Sequence, residues 1–374
     1  MSTPARTSAP PPSPRPVIAT IPRYVPGRAH HDEAHHDGTT VPVAKLSSNE
    51  VPTPPTAAVL EAIARAGPDL NRYPDLLATE LVEAIAARYD LDPARVVAGT
   101  GSVALLYHLL EAFCEPGDEV VYAWRSFEAY PIALALPSAV AVPVPLTQDH
   151  RHDVDAMVAA VTAKTRVVMV CTPNNPTGPA VTAGELDRLM AGVPEHVVVV
   201  VDEAYAEFVT DPAAANGFAL VEDHPNLVVL RTFSKAYSLA GARVGYLVAH
   251  PEVAAAVRAA AFPFGINTLA RVAALAALAD EPSMRTRVAA VVGERDRVLV
   301  GVRRLGYPVP DSQANFCWLP VGEQAVALSD HFGRVGVIVR PFAGDGIRVS
   351  IGTPAENDRM LEALAEWDGV PTRG

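Results

Sequence analysis

The chain has 374 residues, 49% of them hydrophobic and 19% charged, enough to bury a large core with a smaller unit beside it. Its formal net charge of −12 argues against a nucleic-acid or anionic-membrane partner and leaves room only for local basic sites that take small anions. The 3 cysteines, Cys114, Cys171 and Cys317, are far apart with no CxxC spacing, and no charged-then-apolar leader opens the chain, so a reduced, cytoplasmic setting is expected.

Residues 1–16 are rich in Pro, Ser, Thr and Ala and are expected to be a disordered tail. Residues 17–45 read as an arm that carries Tyr24. Within it, HHDEAHHD (30–37) has metal-binding side chains but no framework to fix them, and no metal is assigned. VAKLSSNE (43–50) reads as a strand and a polar turn. PPTAAVLEAIARA (54–66) reads as a helix with proline in its first turn. NRYPD (71–75) is a tight loop carrying Tyr73, and LLATELVEAIAARYD (76–90) has apolar residues at helical spacing. ARVVAGTGSVALLYHLLEAF (94–113) is a strand, a glycine-rich turn and a helix. EVVYA (119–123) is a strand, with a loop and helix start after it. PIALALPSAVAVPVPL (131–146) is broken by prolines and too short to span a membrane, and reads as a helix end and a strand. TRVVMVCTPNNPTG (165–178), HVVVVVDEAYAEF (196–208) and NLVVL (226–230) are apolar strands running into polar turns, and ELDRLM (185–190) belongs to a helix.

Continuous apolar strands separated by helices indicate an α/β unit, residues 46–250, whose largely parallel sheet is covered on both faces. Ligands bind such sheets at the carboxyl ends of the strands, where GTGS, NNPTG, DEAY and TFSK all fall. From residue 251 the texture changes. Ala- and Val-rich helices (252–262, 268–279, 284–305) precede FCWLPV, VGVIVRP and GIRVSIGT, a smaller α+β unit over 251–374.

Lys235 in TFSKAYSLAGAR (232–243) stands just past a strand, with Thr232 and Ser234 before it and Arg243 after it. A nearby fixed cation and partial burial push a lysine pKa down, as an amine that captures an aldehyde requires. Hydroxyls and a guanidinium suit a phosphate monoester. Pyridoxal 5′-phosphate (PLP) needs both together. Asp202, closing a run of valines, can pair the ring nitrogen of that cofactor or cap a helix. Tyr205 and Asn175 can reach the ring oxygen. The amides after GTGS can take phosphate, Phe127 can stack on a flat ring, and Arg348, in an apolar strand, calls for an anion such as a substrate carboxylate.

The ordered set KLSSNE, RYPD, AFCEPGDEV, TPNNPTG, VVVDEAY, RTFSKAYSLAGARVGY, SQANF and GIRVSIGT resembles the fold-type I PLP-dependent aminotransferases, and most closely their histidinol-phosphate aminotransferase-like subgroup. The resemblance runs from Tyr24 to Thr353. It implies a large domain with a mostly parallel seven-stranded sheet between helices and a smaller α+β C-terminal domain. It further implies that Lys235 bonds PLP covalently and shuttles the proton, that Asp202 pairs the pyridine nitrogen, and that Tyr205 and Asn175 bind the phenolic oxygen while Phe127 stacks on the ring. The amides of Ser102 and Val103, with Ser234, Arg243 and more weakly Thr232, would hold the phosphate. Tyr73 would reach the phosphate of a neighbouring subunit, so a homodimer with shared sites is implied. Arg348 would bind a carboxylate, with Tyr24 and Asn315 at the substrate end.

The chain departs from the subgroup at Val103, Ala104, Phe127 and Val51, which bears on the identity of the substrate, whereas the Lys, Asp, Tyr, Asn and Arg positions of the cofactor site are all filled. FPFGI (262–266) and RPFAGDGIR (340–348) look more like the aromatic branch of the subgroup, with Phe264 and Phe342 expected to wall a phenyl ring. The expected reaction passes the amino group of phenylalanine or tyrosine to 2-oxoglutarate by a ping-pong route. Histidinol phosphate is the second expectation, with Arg340 and Arg348 meeting its phosphate. A phosphothreonine-type decarboxylase shares the fold, but no motif favours it. A non-catalytic PLP-binding regulator would carry a basic DNA-binding domain ahead of this part, and the short proline-rich leader does not match one.

Overall fold

A computed structural model of the chain describes residues 13–21, 34–36, 39–41 and 43–369. Tyr24, most of the expected tail and most of the His-rich segment lie outside the described residues.

Seven strands form the large sheet: β1 (Val96–Gly99), β2 (Glu119–Trp124), β3 (Val140–Pro145), β4 (Thr165–Cys171), β5 (Val198–Asp202), β6 (Leu227–Thr232) and β7 (Gly245–Val248), in the order β1-β7-β6-β5-β4-β2-β3. Strand β7 is antiparallel to both neighbours, and the other pairings are parallel. The valine run shows why the strands read as unbroken apolar stretches. Val199 and Val201 enter one core layer and Val198 and Val200 the other, so both faces are buried. Register sets Asp202 beside Cys171 on one neighbour and Leu230 on the other, which lines up the strand ends.

Helices follow the expected spacing, with boundaries set by their caps. Helix Ala57–Ala66 begins at Thr56, whose side chain accepts from the Val59 amide, so Pro54 and Pro55 precede the helix rather than filling its first turn. Helix Ala183–Gly192 starts with a capping box between Thr182 and Glu185. Helix Ser102–Phe113 starts directly after Gly101, whose φ of 92° favours glycine.

The C-terminal part holds helices Pro251–Ala260, Thr268–Ala279, Glu281–Arg304, Ala325–Arg334 and Pro354–Ala365. Its antiparallel sheet has three strands, β8 (Phe316–Leu319), β9 (Arg340–Phe342) and β10 (Gly346–Ser350), with β10 central. Ala44–Lys45 pairs in parallel with Val337–Ile338, so the segment entering the large domain is first fixed to the small one. The Ser350 amide donates to the Leu46 carbonyl at 2.9 Å, which carries the following turn to the end of β10. The division at residue 250 stands as a proposal, since helix Pro251–Ala260 packs against Ser102–Phe113. Among the described residues no helix is long and apolar enough to cross a membrane.

Candidate active site

A cavity of about 380 Å3 opens at the carboxyl ends of β4, β5 and β6. It is lined by Ser102, Val103, Phe127, Asn175, Asp202, Tyr205, Thr232, Ser234, Lys235, Arg243, Arg340 and Arg348 among others, so twelve of the residues singled out in the sequence meet in one place.

Asp202 is buried at the last position of β5. Tyr130 donates to its Oδ2 at 3.2 Å, and the Ala204 amide lies 3.3 Å from Oδ1. Burial pushes its carboxyl up to about 6, against these two hydrogen bonds. A carboxylate disfavoured in this way is stabilised by a cation brought beside it. Phe127 packs edge-on against Tyr130, with ring centroids 5.6 Å apart, so one aromatic pair braces the acid.

Lys235 donates to the Ser48 carbonyl at 3.2 Å and lies 5.7 Å from the centre of the Tyr205 ring. Burial pushes its amine down to about 7, and the charges of Arg348 and Arg243 add to that fall. The amine therefore exchanges between its charged and neutral forms near neutral pH. Tyr205 accepts from Asn49 Nδ2 at 2.9 Å, and burial pushes its phenol up.

The turn before helix Ser102–Phe113 combines backbone amides with the side chains of Arg243, Ser234 and Thr232. Strand β7 meets the turn so closely that a side chain at Gly245 would stand 2.6 Å from the Ser102 amide. The first amides of helix Ser102–Phe113 have no partner within their own helix. Arg243 caps the same turn, since a side chain at Gly101 would stand 2.8 Å from its Nη2. Arg243 also reaches Ser234 Oγ at 3.4 Å and the Ala240 carbonyl at 2.9 Å. Thr232 Oγ1 accepts from the Ser234 amide at 3.1 Å and so shapes the loop as well as lining the cavity.

Arg348 enters from β10. Its Nη1 donates to Asn175 Oδ1 at 2.6 Å and its Nη2 to the Ser47 carbonyl at 2.7 Å, both neutral oxygens. Arg340, directly across on β9, instead meets both carboxylate oxygens of Glu128, at 3.0 and 2.8 Å.

Three expectations are corrected, those for Asn315, Phe342 and Phe264. Asn315 is fully buried and does not line the cavity; its Nδ2 donates to the Asn49 carbonyl at 3.0 Å, so it supports the wall from behind. Phe342 is buried against Trp318, centroids 5.5 Å apart, and does not line the cavity. Phe264 lies outside the cavity and packs on Tyr73 at 5.0 Å. Tyr73 itself is 84% exposed and outside the cavity. Sequence reasoning missed Asn49, Glu128 and Tyr130 as site residues. KLSSNE was visible as a motif, but only the pairing of Ala44–Lys45 and the Leu46 hydrogen bond deliver Asn49 to Tyr205.

Residues 41–364 match the family model for aminotransferase class I and II. The chain belongs to that family. It is 51% identical to the aromatic amino acid aminotransferase of Thermobifida fusca (strain YX), over 94% of this chain and 96% of that one. It is 47% identical to the aromatic amino acid aminotransferase of Streptomyces coelicolor (strain ATCC BAA-471 / A3(2) / M145), over 94% and 97%. Among solved structures, histidinol-phosphate aminotransferase from Sinorhizobium meliloti in complex with pyridoxal-5′-phosphate superposes with a TM-score of 0.85 at 30% identity, covering 94% of this chain and 96% of that one.

PLP is the cofactor of this aminotransferase, and the residues present fit it. The cavity offers a depressed-pKa amine at Lys235, a buried acid at Asp202 in want of a cation, and helix-start amides with Arg243 for a phosphate.

Proposed function

We propose that the protein transfers the amino group of phenylalanine or tyrosine to 2-oxoglutarate by a ping-pong mechanism, as a cytoplasmic homodimer. The observation that carries this reading is the meeting of Lys235, Asp202 and Arg348 in one cavity. Bound PLP supplies an electron sink for the α-carbon of the amino acid. Lys235 would hold the cofactor, and its neutral amine would take the proton from the donor's α-carbon. Asp202 would keep the ring nitrogen protonated, Tyr205 and Asn175 would bind the ring oxygen, and Phe127 would face the ring. Ser102, Val103, Ser234, Arg243 and Thr232 would hold the phosphate. Arg348 would take the α-carboxylate of donor and acceptor in turn, so one pocket serves both halves of the cycle.

The choice of an aromatic donor is supported by the 51% and 47% identities to relatives bearing that name, against 30% for the histidinol-phosphate enzyme. The test is a donor panel with 2-oxoglutarate. The kcat/KM for phenylalanine or tyrosine should exceed that for histidinol phosphate, and the reverse order would replace the reading with the second one.

The dimer is supported by the exposed, apolar character of the Tyr73 region, where Leu70, Leu76, Leu77 and Phe262 are also exposed. Mixing inactive Tyr73 and Lys235 variants should restore part of the activity through hybrid dimers. Full activity in a monomer would refute shared sites.

A further inference from the structure

Arg340 and Arg348 are cross-strand partners on β9 and β10, and both line the cavity. Like charges directly opposite each other on a sheet repel. The protein settles the two differently. Arg348 meets the neutral oxygens of Asn175 and Ser47, whereas Arg340 meets the carboxylate of Glu128. Glu128 also lines the cavity, beside Phe127, and its side chain is 29% exposed against 10% for Arg340. Both hydrogen bonds to Glu128 come from one nitrogen, Nη2, and not from the two parallel donors of a fork. The pair is therefore a carboxylate of the protein's own, in the substrate cavity, held in an arrangement that another carboxylate can match or better.

We propose that Glu128 is a specificity-determining residue: it is an internal counter-ion of Arg340 that the second anionic group of a substrate must displace. This rests on the aminotransferase reading above and names the group that sets its substrate class. With a donor whose side chain is uncharged, the Glu128–Arg340 pair stays closed and no buried charge is left without a partner. With a dicarboxylic substrate, the distal carboxylate takes Arg340 and Glu128 turns to the solvent it already touches. One cavity thus accepts an uncharged side chain and a distal carboxylate in alternate half-reactions.

The competing explanation is that Glu128 only braces Arg340 and relieves its repulsion with Arg348. The two explanations separate on half-reactions of the holoenzyme, followed by cofactor absorbance after mixing with glutamate or with phenylalanine. In Glu128→Gln the glutamate-to-phenylalanine ratio of kcat/KM should rise about tenfold, the scale of one charge-assisted hydrogen bond no longer contested by the protein's own carboxylate. In Glu128→Gln/Arg340→Gln the rise should vanish, because the recipient guanidinium is gone. A ratio unchanged in the single variant, with both donors slowed alike, would overturn the proposal in favour of a brace. A rise that persists in the double variant would overturn it too. The aromatic reading fails separately, on the wild-type order of the donor panel, whereas the role of Glu128 is read only from the change of ratio.

Discussion

Asn175 Oδ1 lies 2.6 Å from Arg348 Nη1, and through this hydrogen bond the NNPTG turn of the large sheet holds the central strand of the small one. The same guanidinium reaches the Ser47 carbonyl with its other nitrogen, so its plane is fixed between two parts of the fold. Arg348→Lys keeps the charge and loses the fork. Charge-assisted bonds of this kind contribute about 1.5–3 kcal/mol, so kcat/KM for any amino acid donor should fall roughly ten- to a hundredfold. Steady-state kinetics on the two proteins check it.

Lys235 gives a pH prediction. Its amine is pushed down to about 7, so it is protonated below that value and neutral above it. Only the neutral amine attacks an aldehyde. Capture of PLP by the cofactor-free protein should therefore accelerate as pH rises through about 7 and level off soon after. A rate still climbing toward the ordinary lysine value of about 10.4 would show an amine that burial does not perturb. Absorbance-followed capture across the neutral and alkaline range measures this.

Asp202→Asn removes the charge and keeps the shape. The variant should still hold PLP through Lys235 and the anion cup. It should lose about 3–4 kcal/mol of transition-state stabilisation, the scale of the largest single electrostatic contributions. Near-normal kcat would reduce Asp202 to a cap for the Ala204 amide.

Glu203, next to Asp202, bonds Arg231 Nη2 at 2.6 Å, and Arg231 stands next to Thr232 on the neighbouring strand. Both partners are buried, and Glu207 approaches the same guanidinium at 3.4 Å. The ion pair fastens the strand end that carries the acid to the one that leads to Lys235. Glu203→Ala leaves a buried guanidinium with the weaker partner alone and should cost about 3 kcal/mol of stability, the lower end of the range for breaking a buried pair. Urea unfolding of cofactor-free protein is the measurement.

The parts of the fold that follow from local pattern were legible in the sequence. Valines 197–201 announce a strand buried on both faces, and the polar turns after each such strand announce where a ligand sits. What the pattern could not supply was register between distant segments. Nothing near Arg340 in the sequence marks Glu128 as its partner, because 212 positions separate them and only the docking of the small sheet brings them together. The same holds for Asn49 and Tyr205. Phe342 was expected to face substrate because aromatic residues beside an active-site motif read alike whether they point in or out. Its side chain turns to Trp318 instead.

The assignment of Lys235 as the residue that holds the cofactor is tested most directly by borohydride reduction of the holoenzyme, followed by peptide mapping. The label should fall on Lys235 alone, and Lys235→Ala should take no label and show no measurable turnover. A label on another lysine, or full turnover by Lys235→Ala, would contradict the assignment.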